Sequence, residues 1–244
     1  MKRSGIVEAG VCVVAGVAIL IGLGIWQLDR KVWKEDLIAA LNTRLARTPV
    51  GLPPRENWAR LTAEADEFTR VTFAAEFIPG EEALVYTAGS AFRPDVHGAG
   101  YWVFAPARLS GGSVVVVDRG FVPYDRKDPT TRPPGAPGDT VDIVGVLRWP
   151  ERRGLFTPAD EPQNNVWYLR DQRAIAAAKK WDAAAPFYVE QESPVPPGGL
   201  PKPGKLAVSL PDDHLQYALT WFGLALGLAG VYITWLVGRL RRKR

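Results

Sequence analysis

The sequence predicts a membrane protein of the α+β class, in which two transmembrane helices flank an antiparallel, β-rich domain with a few helices. Three observations lead to this prediction. Residues 6–27 and 214–237 form two long apolar runs, one near each end of the chain. Each run is close to the ~20 residues that a helix needs to cross a bilayer. The residues between them combine mixed charge with short β-type runs, as in a globular domain.

Basic residues flank both apolar runs at their outer ends. Lys2 and Arg3 precede the first run, and the segment 238–244 carries five more Lys or Arg residues. Basic flanks stay on the cytoplasmic side, so residues 1–5 and 238–244 are expected in the cytoplasm and residues 28–213 outside it. The expected location is a bacterial cytoplasmic (inner) membrane, with the main domain in the periplasm. A cleaved signal peptide is the alternative for the first run, but the run is long for one and no A-x-A site follows it.

Composition excludes several classes of function. The formal net charge of +4 comes from the basic flanks, and the rest of the chain is slightly acidic. We therefore expect no nucleic-acid partner, while the basic tail is expected to contact anionic membrane lipid. The single cysteine, Cys12, lies in the first apolar run, which leaves the outer domain without disulfides or thiol metal sites.

The segment between the apolar runs predicts a sheet with few helices. An amphipathic extension of the first helix is expected to end before Pro49, and shorter helices are expected at 57–65 and 171–180. The SGGS stretch at 110–113 predicts a tight hairpin, and therefore antiparallel strands on either side. Pro- and Gly-rich loops are expected at 128–138 and at 193–205, the second as a tether to the second span. The predicted strands are 69–77, 83–87, 101–109, 113–119, 140–147, 166–169 and 187–190.

Catalytic motifs are absent from the sequence. It contains no G-x-S-x-G, P-loop, C-x-x-C or H-E-x-x-H pattern. Of the two histidines, His97 lies between Gly and Pro residues and is interpreted as a solvated loop residue. The sequence therefore predicts a protein that is not an enzyme.

Polar residues stand where the two apolar runs meet the outer domain. Gln27 ends the first run and Arg30 follows it, and His214 opens the second, with Asp213 expected as its N-cap and Gln216 at N3. Such residues are typical of an interfacial belt, which is the simplest interpretation. The alternative is a haem site in which His214 is the axial ligand to the iron. There Trp221 would pack on the porphyrin and Arg30 would meet a propionate.

The second run also predicts two helix faces. Ala218, Trp221, Ala225 and Tyr232 share the side of His214 at 100° per residue. Glycines lie near the opposite side, where Gly-x-x-x-Gly is a close-packing motif. We therefore expect this small-residue face to pack on the first span, near Ala18 and Gly22, and the histidine face to be free. The glycines are Gly223, Gly227 and Gly230.

Three motifs, in order along the chain, resemble the Surfeit locus protein 1 family. They are G-x-W-Q-x-x-R-x-x-W-K at 24–34, VVDRGFVP at 116–123 and HLQYALTWFGLA at 214–225. The resemblance implies an assembly factor for cytochrome c oxidase that works with subunit I and other assembly factors. It also implies a role in haem a delivery, with His214 at the proposed haem contact. Arg119, Gly120 and Phe121 match a family segment whose role is expected to be structural, at a strand leaving into a turn.

Three other classes of function share some of these features. A purely structural scaffold for subunit I, without haem, fits the same features. A two-span periplasmic sensor shares the topology, but the few residues after the second run are too short for an output domain. A membrane-bound haem-modifying enzyme would need several histidine ligands near the membrane, and only one of the two histidines, His214, stands beside an apolar run.

Overall fold

A computed structural model describes residues 4–90, 92–133, 140–182, 185–207 and 212–241 of the chain. The chain divides into two compact units, one within Met1–Ala39 and Leu210–Arg244 and the other Ala40–Ser209. The helices are α1 (Ser4–Leu45), α2 (Ala63–Asp66), α3 (Gln172–Lys179) and α4 (His214–Arg241). The strands are β1 (Val50–Gly51), β2 (Arg70–Phe77), β3 (Ala83–Gly89), β4 (His97–Leu109), β5 (Val114–Pro123), β6 (Thr140–Arg148), β7 (Val166–Trp167) and β8 (Tyr188–Ser193).

The first unit, which we call the helical unit, pairs α4 with the first part of α1. Both helices are long and apolar enough to cross a membrane, judged by length and composition. Each continues past the predicted apolar run. The amphipathic extension carries α1 to Leu45, and α4 continues into the basic tail as far as Arg241.

The two helices pack antiparallel along a seam of glycines from α1. A Cβ atom on Gly24 would lie 2.4 Å from the ring of Phe222, and one on Gly16 would lie 3.1 Å from Leu228. Near the other end, Tyr232 donates a hydrogen bond of 3.2 Å from its hydroxyl to the carbonyl of Ile6. Small residues of α1 thus receive large side chains of α4.

This seam overturns the predicted helix faces. Ala218 and Ala225 are 0% and 4% exposed, so the side of α4 that carries His214 is the one packed against α1. A Cβ on any of the three α4 glycines that were predicted to pack would meet nothing within 4 Å. The same holds for Gly22, their predicted partner on α1. The large side chains of the histidine face fill the seam better than glycines do, because they bury more apolar surface. The predicted packing residues were Gly223, Gly227 and Gly230.

The second unit, which we call the domain, contains a closed barrel of five strands among the described residues. Its strands follow the order β2–β6–β8–β5–β4, and β4 returns to β2 through the pairs Ala75↔Leu109 and Phe77↔Ala107. The pairing of β5 with β8 is parallel, and the other four pairings in the barrel are antiparallel. The remaining strands extend the sheet, with β1 beside β2, β3 beside β4 and β7 beside β3.

All seven predicted strands are present, with ends that differ by a few residues. The hairpin between β4 and β5 forms as expected, with the amide of Leu109 bonded to the carbonyl of Ser113 at 2.8 Å. Gly112 has a positive φ of 78°, which a residue with a side chain rarely adopts. Asp171 caps α3 by accepting from the amides of Arg173 and Ala174.

Two large apolar cores, among four apolar clusters in the described residues, stabilise the domain. The first draws on all five barrel strands and fills the barrel, with residues such as Val71, Val117 and Ile143 at 0% exposure. The second lies on the other face of the sheet, where Trp167 and Ile175 pack on Trp102. Strand β7 and helix α3 therefore cover one side of the barrel and create a buried layer there.

Several loop predictions need correction. The helix predicted at 57–65 is broken into a 3-10 helix (Arg55–Arg60) and α2, because Thr62 is extended. His97 is exposed as predicted but begins strand β4 opposite Gly89. Residues 193–205 are held on the domain through Lys202, which exchanges two backbone hydrogen bonds with Phe121. Of the loop predicted at 128–138, positions 134–138 lie outside the described residues.

Candidate functional site

The start of α4 brings together two of the four predicted site residues. The Nδ1 atom of His214 lies 2.7 Å from the side-chain oxygen Oε1 of Gln27 on α1. This distance is that of a good hydrogen bond. Both side chains are half-buried. Residues 187 positions apart in sequence are thus joined at one end of the helical unit.

Capping at this end differs in detail from the prediction. The carbonyl of Asp213 accepts the first helical bond, from the amide of Tyr217 at 3.0 Å, so Asp213 is at the N-cap position as expected. The side-chain cap comes instead from Asp212, whose Oδ1 accepts from the amide of His214 at 3.1 Å. Two hydrogen bonds therefore hold the first turn of α4, one from the amide of His214 and one from the amide of Tyr217.

The glycine seam explains why the histidine and the glutamine meet. Gly24 is buried and lies one turn before Gln27 on α1, and the ring of Phe222 rests against it. Ala218, one turn after His214, is fully buried. A small residue on each helix, one turn from the contact, lets the helices approach closely. Two side chains of medium length can then span the gap.

Among the residues that the structure describes, no hydrogen bond, ion pair or ring contact joins either of the other two predicted site residues to His214. Arg30 is exposed, and its guanidinium carbon lies 4.4 Å from the ring centre of Trp33 on the same helix. Trp221 is half-buried and lies seven residues after His214, which places it on the same side of α4. The structure therefore supports a histidine–glutamine pair, with a tryptophan along the helix and an arginine outside the pair.

A second polar cluster, which the sequence did not indicate, lies in the buried layer of the domain. We call it the buried charge cluster and define it as Asp118, Arg148, Arg170 and Glu190. Asp118 and Glu190 are partners on the parallel pair β5–β8 and are 0% and 1% exposed. The Oε2 atom of Glu190 lies 3.2 Å from Arg170 and 3.5 Å from Arg148. The local sequence does not predict this cluster, because its four residues are far apart in the chain and meet only in the closed barrel.

Burial changes the protonation of this cluster. Removal from water, followed by the charge of Glu190, raises the pKa of Asp118 to about 7. Burial also raises the pKa of Tyr188, which lies nearby. A cavity of about 300 Å³ opens beside Arg170, between Tyr86, Trp102 and Tyr168.

The family segment at 119–121 has a structural role inside strand β5. Gly120 has a positive φ of 116°, and a Cβ there would lie 2.2 Å from the carbonyl oxygen of Lys202. Arg119 rests over the ring of Phe77 at 4.3 Å. Glycine is thus required where the returning chain crosses β5. The turn expected at this segment comes after it, because β5 continues to Pro123 and only then enters a 3-10 helix (Tyr124–Arg126).

No group of three or more His, Cys, Asp or Glu side chains that could hold a metal ion occurs within the described ranges. A bound metal centre that needs only one protein ligand is compatible with a lone histidine, and a haem iron is such a centre.

These features define a class: a β-barrel domain flanked by two helices of membrane-spanning length, with a polar pair where the helices meet. The comparisons with known proteins then identify the family. The SURF1 family model matches residues 14–226, and the chain belongs to this family.

Relatives at similar identity come from distant organisms. The chain is 33% identical to Surfeit locus protein 1 of Mus musculus over 91% of this chain and 74% of the mouse protein. It is 33% identical to Surfeit locus protein 1 of Homo sapiens, over 84% of this chain and 69% of the human protein. A SURF1-like protein of Monosiga brevicollis is also 33% identical, over 85% of this chain and 79% of that protein.

Proposed function

We propose that this chain is an assembly factor for haem–copper cytochrome c oxidase, which binds haem a and assists its insertion into subunit I. Membership of the SURF1 family supports the oxidase part of the proposal. The haem part depends on one observation, the hydrogen bond between His214 and Gln27. It holds an imidazole at the start of α4 through Nδ1, while Nε2 has no hydrogen-bond partner in the part of the chain that the structure describes.

The residues at this helix end fit a haem as cargo. A histidine that ligates iron through one ring nitrogen usually donates the other N–H to a carbonyl or carboxylate, and Gln27 supplies a carbonyl. Trp221, half-buried on the same side of α4, offers the exposed part of its ring as an aromatic surface. Arg30 supplies an exposed cation for a propionate group. The haem supplies the redox-active iron of the oxidase, and the chain holds and releases it.

The proposal includes a location. We place the chain in a bacterial cytoplasmic membrane, with both termini in the cytoplasm and the domain in the periplasm. Two apolar helices and their basic flanks support this topology. A reporter that is active only in the periplasm should be silent when fused after Arg244, and activity there would contradict the topology.

A second candidate is a purely structural scaffold for subunit I that binds no haem. The same hydrogen bond favours it, because a polar contact between His214 and Gln27 also ties two helices together. The two candidates differ in one observable: a carrier retains haem when it is purified, and a scaffold does not.

Gene deletion tests the proposed function in the cell. Deletion should lower haem–copper oxidase activity while subunit I is still synthesised, and the intact gene should restore that activity. A His214→Ala copy should restore much less, and a His97→Ala copy should restore it fully, because His97 is exposed in the domain. Normal oxidase activity in a deletion strain without a second copy of the gene would contradict the assignment.

A further inference from the structure

We infer that Gln27 is a positioning residue, whose side-chain carbonyl holds His214 in the tautomer that carries its proton on Nδ1 and presents Nε2 for ligation. The identity of the ligated group, haem iron, rests on the proposed function. The tautomer itself does not, since it follows from the contact between the two side chains.

The chemistry of the contact fixes the direction of the hydrogen bond. The Oε1 atom of Gln27 is a carbonyl oxygen and can only accept, so the Nδ1 atom 2.7 Å away must carry the hydrogen. A neutral imidazole has one N–H, so its lone pair is then on Nε2. That lone pair is the one that can form a bond to a metal.

The surroundings hold both partners in place. The amide of His214 is bound to Asp212, which fixes the first turn of α4. On α1, Gly24 is pressed against the ring of Phe222, which sets the spacing of the helices one turn away from Gln27. The pair therefore does not depend on the two side chains alone, because close packing beside it limits how far the helix ends can separate.

Without a fixed acceptor the imidazole would exchange between its two neutral tautomers. In one of them Nε2 is protonated and cannot bind a metal. An acceptor at Nδ1 removes that competing form and also makes Nε2 a stronger base. Gln27 would thus prepare the histidine before any cargo arrives, which a residue that merely contacts the porphyrin would not do.

Nitrogen NMR of the full chain without haem tests this inference directly. The chain has two histidines, so a His97→Gln background leaves His214 as the only labelled imidazole. At a pH where the ring is neutral, we expect protonated Nδ1 and unprotonated Nε2 in nanodiscs. Protonated Nε2 in the wild-type pair would overturn the inference, because it would mean that Gln27 presents its amide N–H₂ to the ring.

Three variants separate positioning from packing. Gln27→Leu keeps the bulk but removes the acceptor, and we expect mixed tautomers. Gln27→Glu keeps a carbonyl-type acceptor and should restore the Nδ1–H form. Gln216→Leu, at an exposed glutamine in the first turn of α4, is the matched control and should leave the tautomer unchanged. An unchanged tautomer in Gln27→Leu would show that another group sets the proton, and would overturn the inference.

Haem retention gives a separate measurement. Purified from cells that make haem A, Gln27→Leu should bind haem about 10–100-fold more weakly, the usual cost of losing such a partner, and Gln27→Glu should retain it. A Nδ1–H tautomer in a chain that never retains haem would contradict the haem proposal while supporting the positioning role. Equal retention by Gln27→Leu and the wild type, despite mixed tautomers, would overturn the role of Gln27 toward the cargo.

Discussion

Polar side chains are used in different ways in the two units of this chain. In the domain, Glu190 is almost completely buried and lies within 3.5 Å of two arginines, Arg148 and Arg170. In the helical unit, His214 and Gln27 form one hydrogen bond and are half-buried. The buried charges form ion pairs with one another, and these pairs contribute to the stability of the fold. Among the described residues, the imidazole of His214 has a hydrogen-bond partner at Nδ1 alone, and we propose that Nε2 binds the cargo.

A structural role is sufficient to explain why charges are buried together in the domain. Removing one partner from a buried ion pair leaves an uncompensated charge, so such clusters are sensitive to mutation for structural reasons. A half-buried neutral histidine contributes less to stability but keeps its chemistry available. Variants of the buried charges should therefore lower the stability of the domain. Variants of His214 and Gln27 should instead lower binding by the helical unit.

The largest effect is expected for Glu190→Ala. The change leaves Arg148 and Arg170 without their shared carboxylate, which should lower the free energy of unfolding of the domain by about 3–5 kcal/mol. Hydrogen exchange of β5 and β8 amides in the full chain measures it. Glu56→Ala, at an exposed position, is the control and should stay within about 0.5 kcal/mol of wild type. A small effect in Glu190→Ala would break the comparison.

The next effect concerns pH. The pKa of Asp118 is raised from 3.8 to about 7, so the folded domain binds this proton more tightly than the unfolded chain does. Its stabilising contribution is complete below the ordinary pKa and is lost as pH rises from about 4 to about 7. The free energy of unfolding should fall by roughly 2–4 kcal/mol over that window.

Asp118→Asn should flatten this dependence, because the amide stays neutral and can still accept from the amide of Gly120. Unfolding measured in denaturant at several pH values checks it. An equally steep profile in Asp118→Asn would assign the pH dependence to another group. The tautomer of His214 should not differ between this variant and wild type at any one pH.

A smaller effect is expected in the helical unit. Gly24→Ala places a Cβ 2.4 Å from the ring of Phe222, and such overpacking should cost about 1–3 kcal/mol. Gly223→Ala meets nothing within 4 Å and is the matched control. Thermal unfolding in detergent compares the two. Greater damage from Gly223→Ala would mean that the face opposite His214 packs on a helix after all.

The smallest effects are expected for the exposed cation and the exposed histidine. Arg30→Ala removes one ion pair to a propionate at an exposed edge, worth about 0–1 kcal/mol, so haem retention should fall slightly. His97→Ala should change nothing. Haem absorbance per mole of protein measures both variants, and loss of haem in His97→Ala would place the cargo on the domain instead.

Much of the fold could be predicted from local patterns. Apolar runs of sufficient length gave both helices, and runs such as Val114–Val117 gave strands with the right partners where a short hairpin joins them. Closure of the barrel could not be predicted. It depends on the parallel pair of Val117 with Val189, and a long covering segment separates these two residues in sequence.

The helix faces were predicted wrongly for a physical reason. Gly-x-x-x-Gly in α4 indicated close packing, but the glycines that are used belong to α1, where Gly10 and Gly24 lie two heptads apart. The corresponding signal in α4 was the seven-residue repeat of Ala218, Ala225 and Tyr232. The site residues at the helix ends stay a prediction. The hydrogen bond between His214 and Gln27 was not predicted, because it depends on which faces of the two helices pack together.

The central claim is that His214 holds the haem, and one measurement tests it most directly. The full chain and its His214→Ala variant are purified from cells that make haem A, and the Soret absorbance per mole of folded protein is compared. The wild type should carry haem, and His214→Ala should lose most or all of it while still inserting and folding. Full retention by His214→Ala would contradict the account, because His214 and Gln27 would then only tie two helices together.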